Sequence, residues 1–198
     1  FTTRSVRGDL KIEQGMHRFT WDMAHTGALD ANPNRSGQNG PDVSPGKYTV
    51  RFKVDGKVTE KSFEVYADPR INENGVSQQD LEAQEKLLLE IRYLLTRSKQ
   101  LSDKLKKRTA ELDKTIKDGK KVKAATQEKE RLQKIVNELE TADGIYMQPM
   151  LIDQIGYLSS MLGRAGQRPG KDAYERYEEL KQKLDWLVSS NQKIINEL

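Results

Sequence analysis

Residues 14–23, QGMHRFTWDM, bring the chain's most chemically versatile side chains together, since His17, Trp21 and Asp22 lie within six residues of one another. A histidine beside a carboxylate can act as a general base, and the same two groups can hold a metal ion. On a β-strand, alternate side chains share a face, which puts Asp22 on the side opposite His17. The pattern therefore favours a folding role, with Phe19 and Trp21 in a core. We expect His17 near its edge and Asp22 closing the following turn through its side chain.

The rest of the chain offers few reactive groups. It has no cysteine, which removes disulfides, thiolate metal sites and cysteine nucleophiles, and its only histidines are His17 and His25. Hydrolase nucleophile motifs, glycine-rich phosphate loops and the H-E-x-x-H zinc signature are absent. Carboxylates such as Glu82 and Glu85 stand among lysines in helical patterns, which is typical of a solvated face. We therefore expect no catalytic residue, no metal site and no cofactor, and predict that the chain is not itself an enzyme.

A run of positive charge from Arg97 to Lys123 has eleven basic residues against four acidic ones. One interpretation is a tip that contacts an anionic polysaccharide, lipid headgroup or nucleic acid. The residues of this candidate anion-contacting tip would be Lys106, Lys107, Lys120 and Lys121. The other interpretation is a solvated helical turn whose lysines face acidic residues of the returning helix. We favour the second and expect no nucleic-acid partner, because the run has no aromatic residue on which a base could stack and the whole chain carries only +4.

Up to about residue 70 the apolar residues have period two, which indicates antiparallel strands. In residues 45–66, PGKYTVRFKVDGKVTEKSFEVY, Asp55 and Gly56 suit a two-residue type I′ turn, because both central positions take positive φ. That turn fixes a register in which Tyr48 faces Phe63. The other predicted cross-strand pairs are Lys47 with Glu64, Thr49 with Ser62 and Arg51 with Glu60.

From about residue 76 the period is helical and stays so to the end. Ser77 is predicted to be the N-cap of a first helix, and apolar residues at spacings of three and four continue from it to Gly119. Such a helix would be about 60 Å long. The preceding strands are too few to cover it, so it must pack on other helices. We predict four helices, at about residues 77–118, 121–143, 148–163 and 172–197, in an antiparallel bundle.

Two segments carry a resemblance to a known family. GMHRFTWDM (residues 15–23), followed by GPDVSPGKYTVRFKVDG (residues 40–56), resembles an immunoglobulin-like module in which a glycine-led strand reaches W-D and a later strand begins at P-G-x-Y. Similar modules occur in flagellar hook-capping proteins and, more closely, after the β-propeller of sortilin-like bacterial neuraminidase-repeat (Asp-box) proteins. The stretch from QPMLIDQIGYLSSML onwards also resembles the helical tail of those propeller proteins. The chain departs from the family pattern at Ala24, His25 and Thr26, where an arginine and then Tyr-Pro are common.

The periodicities and the resemblance together predict an α+β chain of two units. Residues 1–70 would form a small antiparallel β-sandwich of immunoglobulin type, complete or cut short, and residues 76–198 the helical bundle. The residues expected to be structural in the sandwich are Phe19, Trp21, Asp22, Tyr48 and Gly56. Because the chain begins at Phe1 rather than methionine, we expect a piece of a longer or processed protein.

The resemblance implies a non-catalytic accessory region of an exported bacterial protein, acting as a spacer and interaction module. Its partner would be the upstream β-propeller of the same chain, which would hold any catalytic activity, or another protein. One alternative is a carbohydrate-binding module that holds a glycan, although residues 24–44 contain no aromatic side chain. A second alternative is a self-associating coiled-coil hairpin, and the oligomeric state is left open. No apolar run approaches the roughly 20 residues that span a bilayer, so we expect no membrane span.

Overall fold

The computed structural model describes residues 14–119 and 122–195. Helices make up most of this part of the chain, and its one sheet has two strands. None of the described helices is both long enough and apolar enough to cross a membrane. In chain order the elements are β1 (Gly46–Val54), β2 (Lys57–Val65), α1 (Pro69–Glu73), α2 (Gln78–Lys117), α3 (Val122–Leu139), α4 (Leu151–Leu162), α5 (Lys171–Ser190) and α6 (Gln192–Ile195).

Strands β1 and β2 form an antiparallel hairpin. Asp55 and Gly56 join them with φ angles of 46° and 78°, the left-handed conformation that a type I′ turn requires. Tyr48 lies opposite Phe63, so the register is the one predicted from the sequence. The same register pairs Lys47 with Glu64, Thr49 with Ser62 and Arg51 with Glu60.

Helix α2 is the longest element, with 40 residues, which corresponds to about 60 Å. It begins with a capping box: Asp80 donates its backbone N–H to the Ser77 hydroxyl, and Ser77 donates its own N–H to the Asp80 carboxylate at 3.0 Å. It ends before Gly119, whose φ of 72° cannot continue a right-handed helix. Both ends therefore lie within one residue of the predicted positions.

Helices α3 and α4 return along α2 one after the other. The side-chain contacts that show this direction are Arg108 with Glu128, Ser102 with Glu140 and Gln84 with the carbonyl of Leu162. Helix α5 then runs parallel to α2, where Arg97 donates to Asp185 at 3.1 Å. The long helix α2 is thus covered by two shorter helices in line with each other, α3 and α4, and by α5. The four helices are not equivalent and do not lie side by side along their whole lengths.

The core of the helical part is aliphatic. Its fully buried side chains include Leu87, Ile91, Leu94, Leu105, Leu132, Leu139, Leu151, Ile155, Leu180 and Leu184. Leu105 and Leu112, two of the apolar residues that follow the spacing of three and four predicted for this helix, belong to the same buried cluster as Ala125 and Leu132 of α3. This part of the apolar stripe is therefore buried within a single chain.

The predicted β-sandwich is wrong, because the described residues contain only the β1–β2 sheet. A sandwich needs two sheets packed face to face at about 10 Å. Instead, Met23 takes a φ of 56°, which ends the extended run directly after Trp21 and Asp22. Ala24 and Asp42 then form an isolated β-bridge. Residues 1–13 of the predicted sandwich lie outside the described residues.

Three later helices depart from their predicted bounds. Helix α3 ends at Leu139, because Thr141 beyond it accepts a hydrogen bond from the Met150 N–H at 2.9 Å and holds an irregular loop together. Helix α4 begins only at Leu151. Helix α5 ends at Ser190, where the side chain of Asn191 donates to the Leu187 carbonyl at 2.9 Å and competes with the helical backbone. Residues 196–198 lie outside the described residues.

Candidate functional site

Three polar residues of α2, namely Glu85, Arg92 and Lys99, stand seven residues apart and so form one row along the helix. Each of them holds residues 23–44, a segment we name the 23–44 loop. Glu85 accepts hydrogen bonds from His25 and Ser44, Arg92 donates to the Thr26 carbonyl at 2.9 Å, and Lys99 donates to Asp30 at 2.8 Å. The row therefore fixes the loop against the first half of α2.

The 23–44 loop is also closed on itself. His25 donates its backbone N–H to the Pro41 carbonyl at 2.8 Å, and Val43 donates to the Met23 carbonyl at 2.9 Å. The two arms touch so closely that a Cβ on Gly40 would lie 1.8 Å from the His25 carbonyl oxygen. Only glycine fits at this contact, so the close approach of the two arms depends on Gly40.

Glu85 is the centre of the polar contacts between loop and helix. One carboxylate oxygen accepts from the Ser44 N–H at 3.1 Å and from the Ser44 hydroxyl at 2.5 Å, and the other accepts from Nε2 of His25. His25 is only 5% exposed. Among the described residues no buried side-chain nitrogen or oxygen lacks a partner. The cluster thus satisfies its own hydrogen bonds.

A serine, a histidine and a carboxylate in contact suggest nucleophilic catalysis, but here the wrong group lies in the middle of the three. In a catalytic triad the imidazole lies between the nucleophile and the acid and takes the proton of the nucleophile. Here Glu85 lies between Ser44 and His25, and the Ser44 hydroxyl donates to the carboxylate. This arrangement holds the 23–44 loop in place, and it gives Ser44 no histidine base.

The electrostatics of Glu85 favour its charged form. Burial alone would raise the pKa of this carboxyl, but the hydrogen bonds from His25 and Ser44 outweigh burial and hold the pKa below its usual value. Tyr48 of β1 is linked to the same cluster, because its hydroxyl donates to the Ser44 carbonyl at 2.7 Å. Burial and the negative charge of Glu85 raise the pKa of Tyr48. The cluster therefore connects α2, the loop and the hairpin.

A cleft of about 1130 Å³ lies between the 23–44 loop, the end of β2, α2 and the turn after α4. Its charged lining residues are Arg35, Arg92, Lys99, Arg164, Asp22, Asp42, Asp68 and Glu85. Four positive charges face four negative ones, so charge alone does not select an anionic or a cationic ligand. On the far wall Gln84 donates to the carbonyls of Leu162 and Ala165, which fixes the turn after α4 on α2.

The hairpin presents an apolar face that is only partly covered. This hairpin face consists of Tyr48, Val50, Phe52 and Val54 of β1 with Phe63 of β2. Trp21 covers its base, with ring centroids 5.6 Å from Tyr48 and 5.8 Å from Phe63. Val50, Phe52 and Val54 beyond it are each about half exposed. The face is therefore the largest exposed set of neighbouring apolar side chains on the hairpin.

The residues predicted to be structural have different fates. Trp21 is half buried on the hairpin face and donates from Nε1 to the Ala24 carbonyl at 3.2 Å, so it joins hairpin and loop. Phe19, predicted in the core, is 54% exposed. Asp22 is exposed and lines the cleft. Tyr48 and Gly56 occupy the strand and turn positions expected of them.

The candidate anion-contacting tip is only partly described, since Lys120 and Lys121 lie outside the described residues. Lys106 forms an ion pair with Glu140 of the returning chain, and Lys107 is exposed. Nearby, Arg108 donates to Glu128 at 2.8 Å. Cations of the run thus contact acids of the returning helix, and contact with an external anion stays a prediction.

Metal ligands are not brought together in residues 14–119 and 122–195, where no group of three or more histidine or acidic side chains could hold an ion. His17 is exposed, whereas His25 is buried against Glu85. Sequence reasoning missed Glu85, which we had placed on a solvated face. Its signal was the spacing, because Glu85 continues the three-and-four stripe of Leu81 and Leu88.

No protein-family model, no curated protein and no solved structure matches the chain.

Proposed function

We propose that this chain is a non-catalytic interaction module, in which the helical part is a rigid support and the hairpin face contacts a β-rich partner domain. One observation carries the proposal: Val50, Phe52 and Val54 are apolar, adjacent and half exposed. Contiguous exposed apolar surface marks interaction sites in soluble proteins. Its burial would contribute about 25 cal/mol for each Å² removed from water.

The backbone of the hairpin supports the same proposal. Neither strand has a second neighbour among the described residues, so both outer edges carry unpaired N–H and C=O groups. An isolated two-stranded hairpin is only marginally stable in water. A partner that adds a strand or covers the face would stabilise the hairpin and be recognised by it.

The base of the hairpin is suited to holding this surface in a fixed direction. The Tyr48 hydroxyl donates a hydrogen bond to the backbone carbonyl of Ser44, and the Ser44 hydroxyl donates one to the Glu85 carboxylate on α2. Trp21 adds its ring contacts on the hairpin face. The long helix therefore sets the orientation of the hairpin, as a spacer must.

The choice of partner rests on the resemblance of residues 15–23 and 40–56 to sortilin-like β-propeller proteins. In the sortilin-like proteins that they resemble, this segment follows a β-propeller, so the proposed partner is an upstream propeller of the same chain. The exported location belongs to the same proposal. Blades of a propeller are antiparallel sheets, which suit an open hairpin edge.

The test uses two matched substitutions. Val50 and Val58 are 52% and 53% exposed, and each lies opposite a lysine, but they point to opposite faces of the hairpin. The proposed propeller upstream of Phe1 is expressed separately and titrated by calorimetry against the wild-type chain, Val50→Lys and Val58→Lys. We expect Val50→Lys to weaken binding about tenfold or more, as loss of an interface hot spot does, and Val58→Lys to have little effect.

Three results would overturn the proposal. The first is a coding sequence before Phe1 that contains no propeller, and the second is a propeller that does not bind the wild-type chain. The third is an equal loss of binding in both variants, which would show that charge on the hairpin, rather than its apolar face, governs the contact. Circular dichroism of both variants checks that the helices remain folded.

A further inference from the structure

The chain contains two Asn-Gly pairs, Asn39–Gly40 and Asn74–Gly75. Asn39 is exposed in the 23–44 loop, with a left-handed φ of 52°. Within the described residues, the Gly40 N–H donates no hydrogen bond. The Gly75 N–H, in contrast, donates to the Asn72 carbonyl at 2.9 Å. The two pairs share their chemistry and differ in the freedom of the glycine nitrogen.

We propose that Asn39 is a site of spontaneous deamidation through a cyclic imide formed with Gly40. The backbone nitrogen of Gly40 loses its proton to base and attacks Cγ of Asn39, so that a C–N bond forms and the side-chain nitrogen leaves as ammonia. Water then opens the imide at either carbonyl and leaves aspartate or isoaspartate. Glycine permits the attack because it has no Cβ to obstruct the approach, and an N–H without a partner needs no hydrogen bond to break first.

The product changes the loop at its tightest contact. Gly40 lies against the His25 carbonyl, and the neighbouring Pro41 carbonyl accepts the His25 N–H at 2.8 Å. Isoaspartate adds one methylene to the main chain beside this contact, and both products add a negative charge. His25 also donates to Glu85. Deamidation therefore loosens the hold of the 23–44 loop on α2, and methyl transfer to the freed α-carboxylate is the class of reaction that would consume the isoaspartate.

The experiment incubates the folded chain in mildly alkaline buffer, digests it and follows both Asn-Gly peptides by mass spectrometry. We expect deamidation at Asn39 to be roughly tenfold faster than at Asn74 in the folded chain, the factor that one ordinary hydrogen bond supplies. In urea the two rates should become equal, because neither glycine nitrogen is then engaged. Equal rates in the folded chain, or faster reaction at Asn74, would overturn the proposal.

Two variants isolate the site and its consequence. Asn39→Gly keeps a residue that tolerates positive φ and removes the amide, so the mass gain of this peptide should disappear. Asn39→Asp carries the charge of the product, and hydrogen exchange should be faster at the backbone amides of His25 and Val43 than in the wild type. The aged wild-type chain should show the same increase. Unchanged exchange in both would contradict the proposed loosening of the loop.

Discussion

The helical region (residues 69–195) and the hairpin region (residues 14–68) differ in how far their apolar side chains are buried. In the helical region the stripes of α2, α3, α4 and α5 cover one another, and ten large aliphatic side chains are fully buried. In the hairpin region the alternation is just as regular, yet the hairpin face is about half exposed. Its attachment to α2 is polar, through Glu85, Arg92 and Lys99.

This difference in burial indicates that the helical region stabilises the fold and that the hairpin region is the one suited to binding a partner. Burial of apolar surface is the main source of folding free energy, so the helical region supplies most of the stability. The hairpin region has less to lose on unfolding, and its exposed face is free to contact something else. Substitutions in the two regions should therefore differ in both size and character.

The largest expected effect is in the helical core. Ile91 is fully buried on α2, and Ile91→Ala should lower the free energy of unfolding by about 2–5 kcal/mol, from the lost methylene groups and the cavity they leave. Val50→Ala on the hairpin face should stay within about 0.5 kcal/mol of the wild type, as an exposed site does. Urea denaturation followed by helical circular dichroism measures both. Equal losses would show that the hairpin face is buried in solution.

A smaller effect is expected at the polar attachment. Glu85→Gln removes a charged acceptor from Ser44 and His25 and should cost about 2 kcal/mol. Because the folded-state pKa of Glu85 is lowered, its contribution is fully present above the ordinary pKa of a glutamate. It is lost as the pH falls through the folded-state value. The difference in stability between wild type and variant should therefore shrink on acidification.

The matched control for this attachment is Glu82→Gln, an exposed position one turn earlier on α2. We expect it to change stability by no more than about 0.5 kcal/mol at any pH. A stability difference for Glu85→Gln that does not depend on pH would show that the carboxylate is not what holds Ser44 and His25.

A smaller and more local effect is expected at Trp21. A fully buried tryptophan costs about 3–5 kcal/mol when truncated to alanine, but Trp21 is half buried, and its two ring contacts are worth about 1–2 kcal/mol. Trp21→Ala should speed hydrogen exchange in β1 and β2 and leave the amides of α2 unchanged. Trp186→Ala, at an exposed site of α5, serves as control. Faster exchange throughout α2 would indicate a wider role for Trp21.

Local signals in the sequence predicted local structure well. Asp55 and Gly56 determined the turn and, through it, every cross-strand pair. Ser77 and Gly119 bounded α2 to within one residue, because capping and glycine chemistry act on their immediate neighbours. The bounds of α3 and α5 were less accurate, since the contacts of Thr141 and Asn191 that end them were not anticipated.

The packing of residues far apart in the sequence could not be predicted from such local signals. Alternation predicts that a strand has an apolar face, but it does not say what covers that face, and this gap produced the incorrect β-sandwich. Glu85 was misassigned for a related reason: a carboxylate on an amphipathic helix is usually solvated. Only its contacts with His25 and Ser44, far away in the sequence, make its position a partly buried one.

The broken return path along α2 has a consequence for cooperativity. The second half of α2 is covered mainly by α3, and the first half by α4 and α5, with the irregular stretch of residues 140–150 between them. The two halves share one continuous helix but bury different partners. Local opening free energies follow the contacts that each segment buries, so we expect the amides at the end formed by α2 and α3 to exchange with solvent at rates different from those at the end that carries the hairpin.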